Sequence, residues 1–439
     1  MEPAEKTLSP AGSSAARLLP TLLMGAAFVV PMVFSVAIDD TFGLPKLIAL
    51  WSILGVAVVL AALVRGDRRL RIVGNIDAPV ALFAAMHLVA LAASVDREQS
   101  FWGERLQHQG VLTLILYLGF FYLARIALGG GVRLLLFYRA VAIGGAAVAA
   151  YGVLQRMGLD PIWSELPNGR IFSSIGQPNA LGAYLAFVLP LAAVVASPAR
   201  SRRGQFAGWA TVGLVAVALL LTLSRSALIG LAIGLLIIGP AVAKHRGLTA
   251  RRAAVSVGAL AAAALVTVAV VGPARDTAES IVRRVAASAE FGVPGSVRMH
   301  LDLWTVAAEI TSDHPIVGTG PDTFAVVFPE YRDRVLAPPR AAVFVPFRVE
   351  SPHNVYLAIA SGAGVIALGA YLWLFGALAT MVLRSAGGGD PVQRLLLIGG
   401  LAAVAAHGAT DLFITADLTG TWLFWMLSGG LVATAAHHT

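Results

Sequence analysis

The stretch Glu350–Leu383, ESPHNVYLAIASGAGVIALGAYLWLFGALATMVL, joins a polar segment to an apolar one at Pro352-His353-Asn354. No residue from Val355 to Leu383 is charged. A helix needs about 20 apolar residues to cross a bilayer, and this run is longer. A histidine at such a boundary faces water while a rigid helix holds it. We therefore expect any chemistry of this protein to lie around His353.

The composition is that of a membrane protein. Of the 439 residues, 58% are hydrophobic and 13% are charged, whereas soluble domains carry about 25% charged residues. Several stretches of about 20 residues contain no charge, which is typical of transmembrane helices. The chain has no cysteine, so disulfides and thiolate metal sites are excluded. The sequence thus predicts an all-α polytopic membrane protein.

The uncharged stretches predict about twelve transmembrane helices. The only large polar stretch lies between the ninth and the tenth. Residues 1–271 then hold spans one to nine, residues 272–352 form one large extracytoplasmic loop, and residues 353–439 hold the last three spans. The predicted spans are Leu18–Ile38, Leu44–Val64, Ile76–Ser94, Gly110–Leu128, Leu134–Leu154, Asn179–Ala196, Phe206–Leu223, Ser226–Pro240, Ala253–Val271, Val355–Leu383, Leu395–Asp411 and Leu418–Thr434.

The distribution of basic residues orients the chain. With the N-terminus inside the cell, the loops after even-numbered spans are cytoplasmic, and these hold arginine clusters such as Arg65–Arg71 and Arg200–Arg203. The positive-inside rule then places the long loop and His353 outside. The same clusters account for the net charge of +8 and the pI near 10.2, which leaves nucleic-acid binding without support.

The long loop shows some structure of its own. Ser280–Ala289 and Val297–Thr311 have helical patterns, and the second places Leu301, Trp304 and Ala308 on one face. The sequence Gly318-Thr319-Gly320-Pro321 predicts a turn.

His353 is the first candidate for chemistry. A neutral imidazole accepts a proton near pH 7, so His353 is suited to act as a general base toward a hydroxyl. A histidine that only caps a helix at the membrane surface would show the same spacing, and both interpretations stay open. We expect Ser351 or Asn354 to accept hydrogen bonds from the free amides at the helix start.

Three arginines are candidates for phosphate binding. Arg225 stands between two apolar runs, where a charge is costly unless it pairs or meets water. A snorkelling arginine at a tight turn is the alternative. Arg170 and Arg298 fall in loops on the same side of the membrane, where each alone is more typical of a solvated surface. Guanidinium groups bind phosphate through two parallel hydrogen bonds, so three arginines beside His353 would form a diphosphate site.

Acidic residues and two further histidines are weaker candidates. The acids lie at the outer ends of spans or beside His353, where they would orient His353 or pair with the arginines, but solvated helix ends are more typical. The histidines fall inside spans, where a core position is the safer interpretation. No metal-binding or nucleotide-binding motif is present, so the sequence predicts neither a metal site nor a cofactor. These candidates are Asp39, Asp40, Asp411, Asp417, Glu350, His87 and His407.

Four stretches resemble the superfamily of O-antigen ligases and O-antigen polymerases. His353-Asn354, nine further residues and Gly364 match its histidine motif, although Ala367 stands where the pattern often has Gly, Thr or Tyr. The other stretches occur in the family's order and are Gly176–Leu185, Thr222–Ala227 and Arg298–Pro321.

The resemblance implies a GT-C-like membrane glycosyltransferase that needs no metal. Its donor would be a glycan on undecaprenyl diphosphate, presented at the outer face of the bacterial cytoplasmic membrane. His353 would correspond to the family's essential histidine, and Arg225, Arg298 and Arg170 to the arginines that bind the diphosphate, the first two also being catalytic. In-line attack at the anomeric carbon would invert its configuration. The supporting residues would be Asn354, Glu350 and Asn179.

The resemblance leaves three acceptors open, namely a lipid A core, the growing end of a polymer, and a protein hydroxyl. The modest outer loop favours a ligase. The competing class is a transporter or flippase of a lipid-linked sugar. Transporters often show inverted repeats with broken helices in both halves. No such repeat is visible here, and the candidate charges gather at one face of the membrane.

Overall fold

The computed structural model describes residues 10–64, 72–198, 201–247, 296–346, 348–388 and 390–436. All regular secondary structure in these ranges is helical. Short 3-10 turns lie at Val30–Met32, Pro167–Gly169, Ser173–Ile175 and Ala342–Phe344. The helices are α1 (Pro10–Val29), α2 (Gly43–Val64), α3 (Gly74–Ala92), α4 (Arg97–Trp102), α5 (Val111–Ala127), α6 (Gly131–Arg156), α7 (Pro178–Ala196), α8 (Arg202–Leu221), α9 (Arg225–His245), α10 (Ser296–Asp313), α11 (Phe324–Val335), α12 (Pro338–Ala341), α13 (Val355–Gly388), α14 (Pro391–Thr410) and α15 (Leu418–Ala435).

The all-helical membrane class is confirmed. Within the described residues, 10 helices are long and apolar enough to cross a membrane, and α5 is a shorter apolar helix of 17 residues. Every predicted span that falls on described residues corresponds to one of these helices. The predicted span Ala253–Val271 and the predicted helix Ser280–Ala289 lie outside the described residues, so the total of about twelve spans stays a prediction.

Some predicted boundaries are wrong because local signals extend or shorten the helices. The helix of the first span ends at Val29, where the 3-10 turn with Pro31 follows, instead of reaching Ile38. Helix α9 continues through Pro240 to His245. It begins at Arg225 because Ser224 is its N-cap, with Oγ accepting from the amide of Ala227 at 3.4 Å.

Glycines allow the central helices to approach closely. Helix α14 packs against α7 and α9, and α15 packs against α5. A side chain at Gly399 would overlap Val194, and one at Gly429 would overlap the backbone of Phe121. Because lipid tails are as apolar as the helix surfaces, helices in membranes associate through such close backbone contacts.

Helix α13 is interrupted at Gly364, where φ is 85° and ψ is 168°. The predicted turn packs into this break. The amide of Thr319 donates to the carbonyl of Ser361 at 2.9 Å, and the amide of Val365 donates to the carbonyl of Pro315 at 2.8 Å. The first part of α13, which carries the histidine motif at its start, is therefore attached to the segment between α10 and α11.

Helices α10 to α12 form a small cluster outside the main bundle. Helix α10 confirms the amphipathic helix predicted at Val297–Thr311, and its packing decides which residues are buried. Leu301 is 50% exposed, whereas Leu303, Val306 and Ile310 are buried. Leu303, Val306 and Ile310 belong to one apolar cluster with Phe324 and Phe328 of α11, and this packing buries their face of the helix.

Candidate active site

A cavity of about 480 Å³ opens at the end of the bundle where α10 packs against α13. Three histidines, His108, His300 and His353, line it, and we call it the histidine cavity. Its walls come from the start of α2, the loop before α5, the turn before α7, the start of α10 and the loop between α14 and α15. It thus collects residues from across the chain.

His353 has a left-handed backbone conformation, with φ of 50°. This conformation is uncommon for a residue with a side chain and often marks a functional site. Its amide donates to Oγ of Ser351 at 3.2 Å, and its Nδ1 lies 3.0 Å from Oγ1 of Thr415. The hydroxyls of Ser351 and Thr415 are 2.5 Å apart. A short chain of hydroxyls therefore fixes both the backbone and the ring of His353.

The surroundings of His353 favour the neutral imidazole. His353 is exposed at the edge of the cavity, where it contacts Thr415 and lies near His300. Burial lowers the pKa of His353 to about 4, and the charge of nearby His300 acts in the same direction. The two rings lie 5.7 Å apart between centroids. His353 is thus uncharged near pH 7 and has a lone pair available for a proton.

Asn354 fixes the start of the helix that follows His353. Its Oδ1 accepts from the amide of Leu357 at 3.0 Å, which confirms the predicted cap. The amide of Val355 donates to the carbonyl of Asp411 at 2.8 Å, so the start of α13 is also tied to the end of α14.

Arg170 joins two of the stretches that resemble the family. Its Nε donates to the carbonyl of Thr222 at 2.7 Å and its Nη2 donates to Oδ1 of Asn179 at 2.5 Å. Asn179 lines the histidine cavity. Arg170 therefore holds the start of α7 against the turn that leads to Arg225, and Arg225 is half-buried at the first turn of α9.

None of the three predicted arginines lines the histidine cavity. Arg298 is exposed, and the two residues that follow it, Met299 and His300, both line the cavity. Of the predicted site residues, the structure brings His353, Glu350 and Asn179 to one cavity. It places Arg170 behind Asn179.

Lys46 is a buried cation that was not among the predicted site residues. It is 2% exposed and lines the histidine cavity. Its Nζ donates to the carbonyls of Ser174 at 2.8 Å and Phe42 at 3.2 Å. A lysine inside an apolar span is itself a functional signal, so the sequence contained the clue.

His108, which was not among the candidates, pairs with the candidate Asp40 in the cavity wall. Nε2 of His108 lies 2.6 Å from Oδ2 of Asp40. The same carboxylate accepts from the amides of Gly43 at 2.8 Å and Leu44 at 2.7 Å at the start of α2. Since these residues belong to different loops, their spacing in the sequence gave no signal.

Three of the acidic candidates, Asp40, Asp417 and Glu350, line the histidine cavity, whereas Asp39 and Asp411 do not. Glu350 lines the cavity and accepts from Nε2 of Gln107 at 3.3 Å, and burial raises its pKa. Asp39 is a solvated surface residue paired with Arg105 at 3.0 Å. The expectation of a solvated helix end is wrong for Asp411, which is 2% exposed and lies 3.4 Å from His407.

The described residues contain no group of three or more His, Asp or Glu side chains arranged to hold a metal ion. The groups that face the cavity are imidazoles, one ammonium, carboxylates and amides. Such a set can bind an anion, orient a hydroxyl and accept a proton.

The fold and this site define a polytopic helical membrane protein with a polar cavity at one end of its bundle. Residues 209–372 match the model of the family described as O-antigen ligase. The matched region contains Arg225, Arg298 and His353, and the resemblance to the superfamily of O-antigen ligases and polymerases is thereby confirmed. No curated protein matches the chain.

Proposed function

We propose that this protein is a glycosyltransferase of the O-antigen ligase type. It moves a glycan from an undecaprenyl-diphosphate donor to an acceptor hydroxyl, at the outer face of the bacterial cytoplasmic membrane. The observation that carries the proposal is His353, held by Thr415 at the edge of the histidine cavity, inside the region that matches the family. A polymerase or a protein glycosyltransferase of the same superfamily is the alternative with the same chemistry.

The proposed step breaks the bond between the anomeric carbon and the diphosphate oxygen. The acceptor oxygen forms a new bond to that carbon from the opposite side, which inverts its configuration. The acceptor proton passes to Nε2 of His353 while Nδ1–H donates to Oγ1 of Thr415. Thr415 then donates to Ser351, and this direction of hydrogen bonds is compatible with the distances of 3.0 and 2.5 Å. General base catalysis contributes about 10² to 10⁴ in rate.

The departing diphosphate needs positive charge close to it. Lys46 lines the cavity, where its ammonium donates to two backbone carbonyls and lies near the carboxylates of Asp40 and Asp417. It is the lysine that would meet the diphosphate in this cavity. Arg225 and Arg298 do not line the cavity, and they would reach the diphosphate when the donor is bound. Arg170 positions Asn179. Preorganised cationic groups of this kind give the largest share of many rate enhancements.

The test uses purified full-length protein in detergent, a lipid-diphosphate-linked glycan and candidate acceptors. We expect His353→Ala to lower glycan transfer by about 10² or more. Arg225→Ala and Lys46→Met are expected to lower it as well. His314→Ala is the matched control, because His314 is exposed at the end of the same helix that carries His300. Transfer should continue in EDTA.

Undiminished transfer by folded His353→Ala would refute the proposed base. A product with retained configuration would refute in-line attack. Flipping of the lipid-linked glycan in liposomes, with no transfer to any acceptor, would instead favour the transporter.

A further inference from the structure

A second cavity, of about 120 Å³, adjoins the histidine cavity. Its polar wall carries Asp322, Glu350, Gln107 and Gln109, and we call it the acidic cavity. The floor is aromatic and includes Tyr117 and Trp425. The two cavities share the wall residues Gln107, Glu350, Thr415 and Ala416.

The histidine motif forms part of the partition between the cavities. Ser351, Pro352 and Asn354 line the acidic cavity, whereas His353 lines the histidine cavity. Thr415, the partner of Nδ1 of His353, faces both. A group in the acidic cavity would therefore lie beside the residues that hold His353.

The charges of the two cavities differ. The histidine cavity is lined by one lysine, Lys46, by three histidines and by the carboxylates of Asp40, Glu350 and Asp417. No lysine or arginine is among the described residues that line the acidic cavity, and two carboxylates, Asp322 and Glu350, face it. No lysine or arginine is present there to bind a diphosphate, so the acidic cavity suits a neutral ligand.

Asp322 is the most strongly held polar group of this wall. Its Oδ2 accepts from the amides of Glu104 at 2.6 Å and Gln109 at 3.0 Å. Its backbone is left-handed, with φ of 60°, and burial raises the pKa of its carboxyl group to about 7. The side chain of Gln109 is fixed in turn, because Tyr117 donates to its Oε1 at 3.1 Å. The wall is thus preorganised.

We propose that the acidic cavity binds one neutral sugar ring of a glycan acceptor. Carboxylates and amides accept and donate hydrogen bonds to adjacent hydroxyls, and aromatic faces provide the apolar contact that a sugar ring needs. This inference rests on the proposed function, and it selects a saccharide hydroxyl over a protein hydroxyl as the acceptor. The volume accommodates only the end of such a glycan.

The test measures binding directly, by ligand-observed NMR on the full-length protein in detergent. The probes are methyl glycosides of glucose, galactose and N-acetylglucosamine for the acidic cavity, and inorganic diphosphate for the histidine cavity. We expect at least one glycoside to bind. Asp322→Asn is expected to raise its Kd about tenfold or more, because an amide nitrogen replaces one of the carboxyl oxygens that would bind the sugar hydroxyls. The matched control is Asp333→Asn. The carboxylate of Asp333 is exposed on α11, so this variant is expected to bind both probes as the wild type does.

Ala358→Phe is the second variant in case Asp322→Asn does not fold. Ala358 lines the acidic cavity but not the histidine cavity, so a larger side chain should displace the glycoside and leave diphosphate bound. Any of three results would overturn the inference: no glycoside binds, Asp322→Asn leaves the Kd unchanged, or a serine-containing peptide displaces the glycoside.

Failure of the proposed function gives a different result. Glycoside binding with the expected variant effects, together with no release of glycan from the lipid-diphosphate donor, would support the sugar site while refuting the transferase.

Discussion

At the scale of single residues, the arrangement around His353 is set by hydroxyl groups. Thr415 contacts Nδ1 and Ser351 contacts the amide of the same histidine. These contacts determine which ring nitrogen faces the reacting hydroxyl, because the proton on one nitrogen is set by the partner of the other. The histidine motif was visible in the sequence, whereas Thr415 was not, since nothing marks a threonine in a loop far along the chain.

Replacing Thr415 by valine should therefore lower kcat for glycan transfer about tenfold or more, because Nδ1 loses its partner and the neutral tautomers are no longer distinguished. Thr415→Ser keeps the hydroxyl and should retain most of the rate. Thr380→Val is the control, as Thr380 only donates to the carbonyl of Gly376 within α13. Equal rates in Thr415→Val and wild type would contradict the role of this hydroxyl.

The pH dependence of transfer follows from the lowered pKa of His353. The base must be neutral, and its folded-state pKa is about 4, so the acidic limb of kcat/KM should lie near pH 4 instead of near 6.5. Bound diphosphate favours the imidazolium, so the limb of kcat should lie at higher pH than that of kcat/KM. Rate measurements between about pH 3.5 and about pH 8 test this, because this range includes the ordinary histidine pKa of about 6.5. A kcat/KM limb at pH 6.5 would show that burial does not act as described.

At the scale of helices, the break at Gly364 couples the histidine motif to the turn after α10. Thr319 and Gly320 donate to the carbonyls of Ser361 and Gly362, each at 2.9 Å. Two stretches that resemble the family, far apart in the sequence, are thus one structural unit. The resemblance identified Gly364, but only the structure shows why a glycine stands there.

Gly364→Ala should lower the thermal stability of the protein. At φ of 85° a residue with a side chain is strained, and its Cβ would overlap the carbonyl of Ile316, which costs roughly 1–3 kcal/mol or more. Gly369→Ala is the matched control within α13, where a Cβ would meet nothing within 4 Å. Thermal unfolding in detergent compares the two. A Gly364→Ala protein as stable as the control would refute the packing of the turn.

At the scale of the whole molecule, the polar groups collect at one end of the bundle. The histidine cavity and the acidic cavity lie side by side there, beside the cluster formed by α10, α11 and α12. The positive-inside rule predicts that this end faces outward. This arrangement would give a lipid-linked donor and a glycan acceptor access from the same side.

The predicted topology can be measured with single cysteines, since the chain has none of its own. In spheroplasts, a membrane-impermeant maleimide should label Asp333→Cys, and should label Arg203→Cys only after permeabilisation. Both positions are exposed in the structure, so access depends on the side of the membrane. The reverse pattern would place the active site in the cytoplasm and refute the proposed donor geometry.

The sequence alone determined the helical membrane class and the position of the histidine motif. Uncharged runs, arginine clusters and the boundary at His353 are local properties, which need no knowledge of neighbours in space. Only the tertiary structure decided which groups share the cavity with His353. Lys46, His108 and Thr415 come from three distant segments, and their meeting depends on how the helices pack. It also placed the arginines outside the cavity lining, because contacts such as that of Arg170 with Asn179 are set by packing and not by spacing.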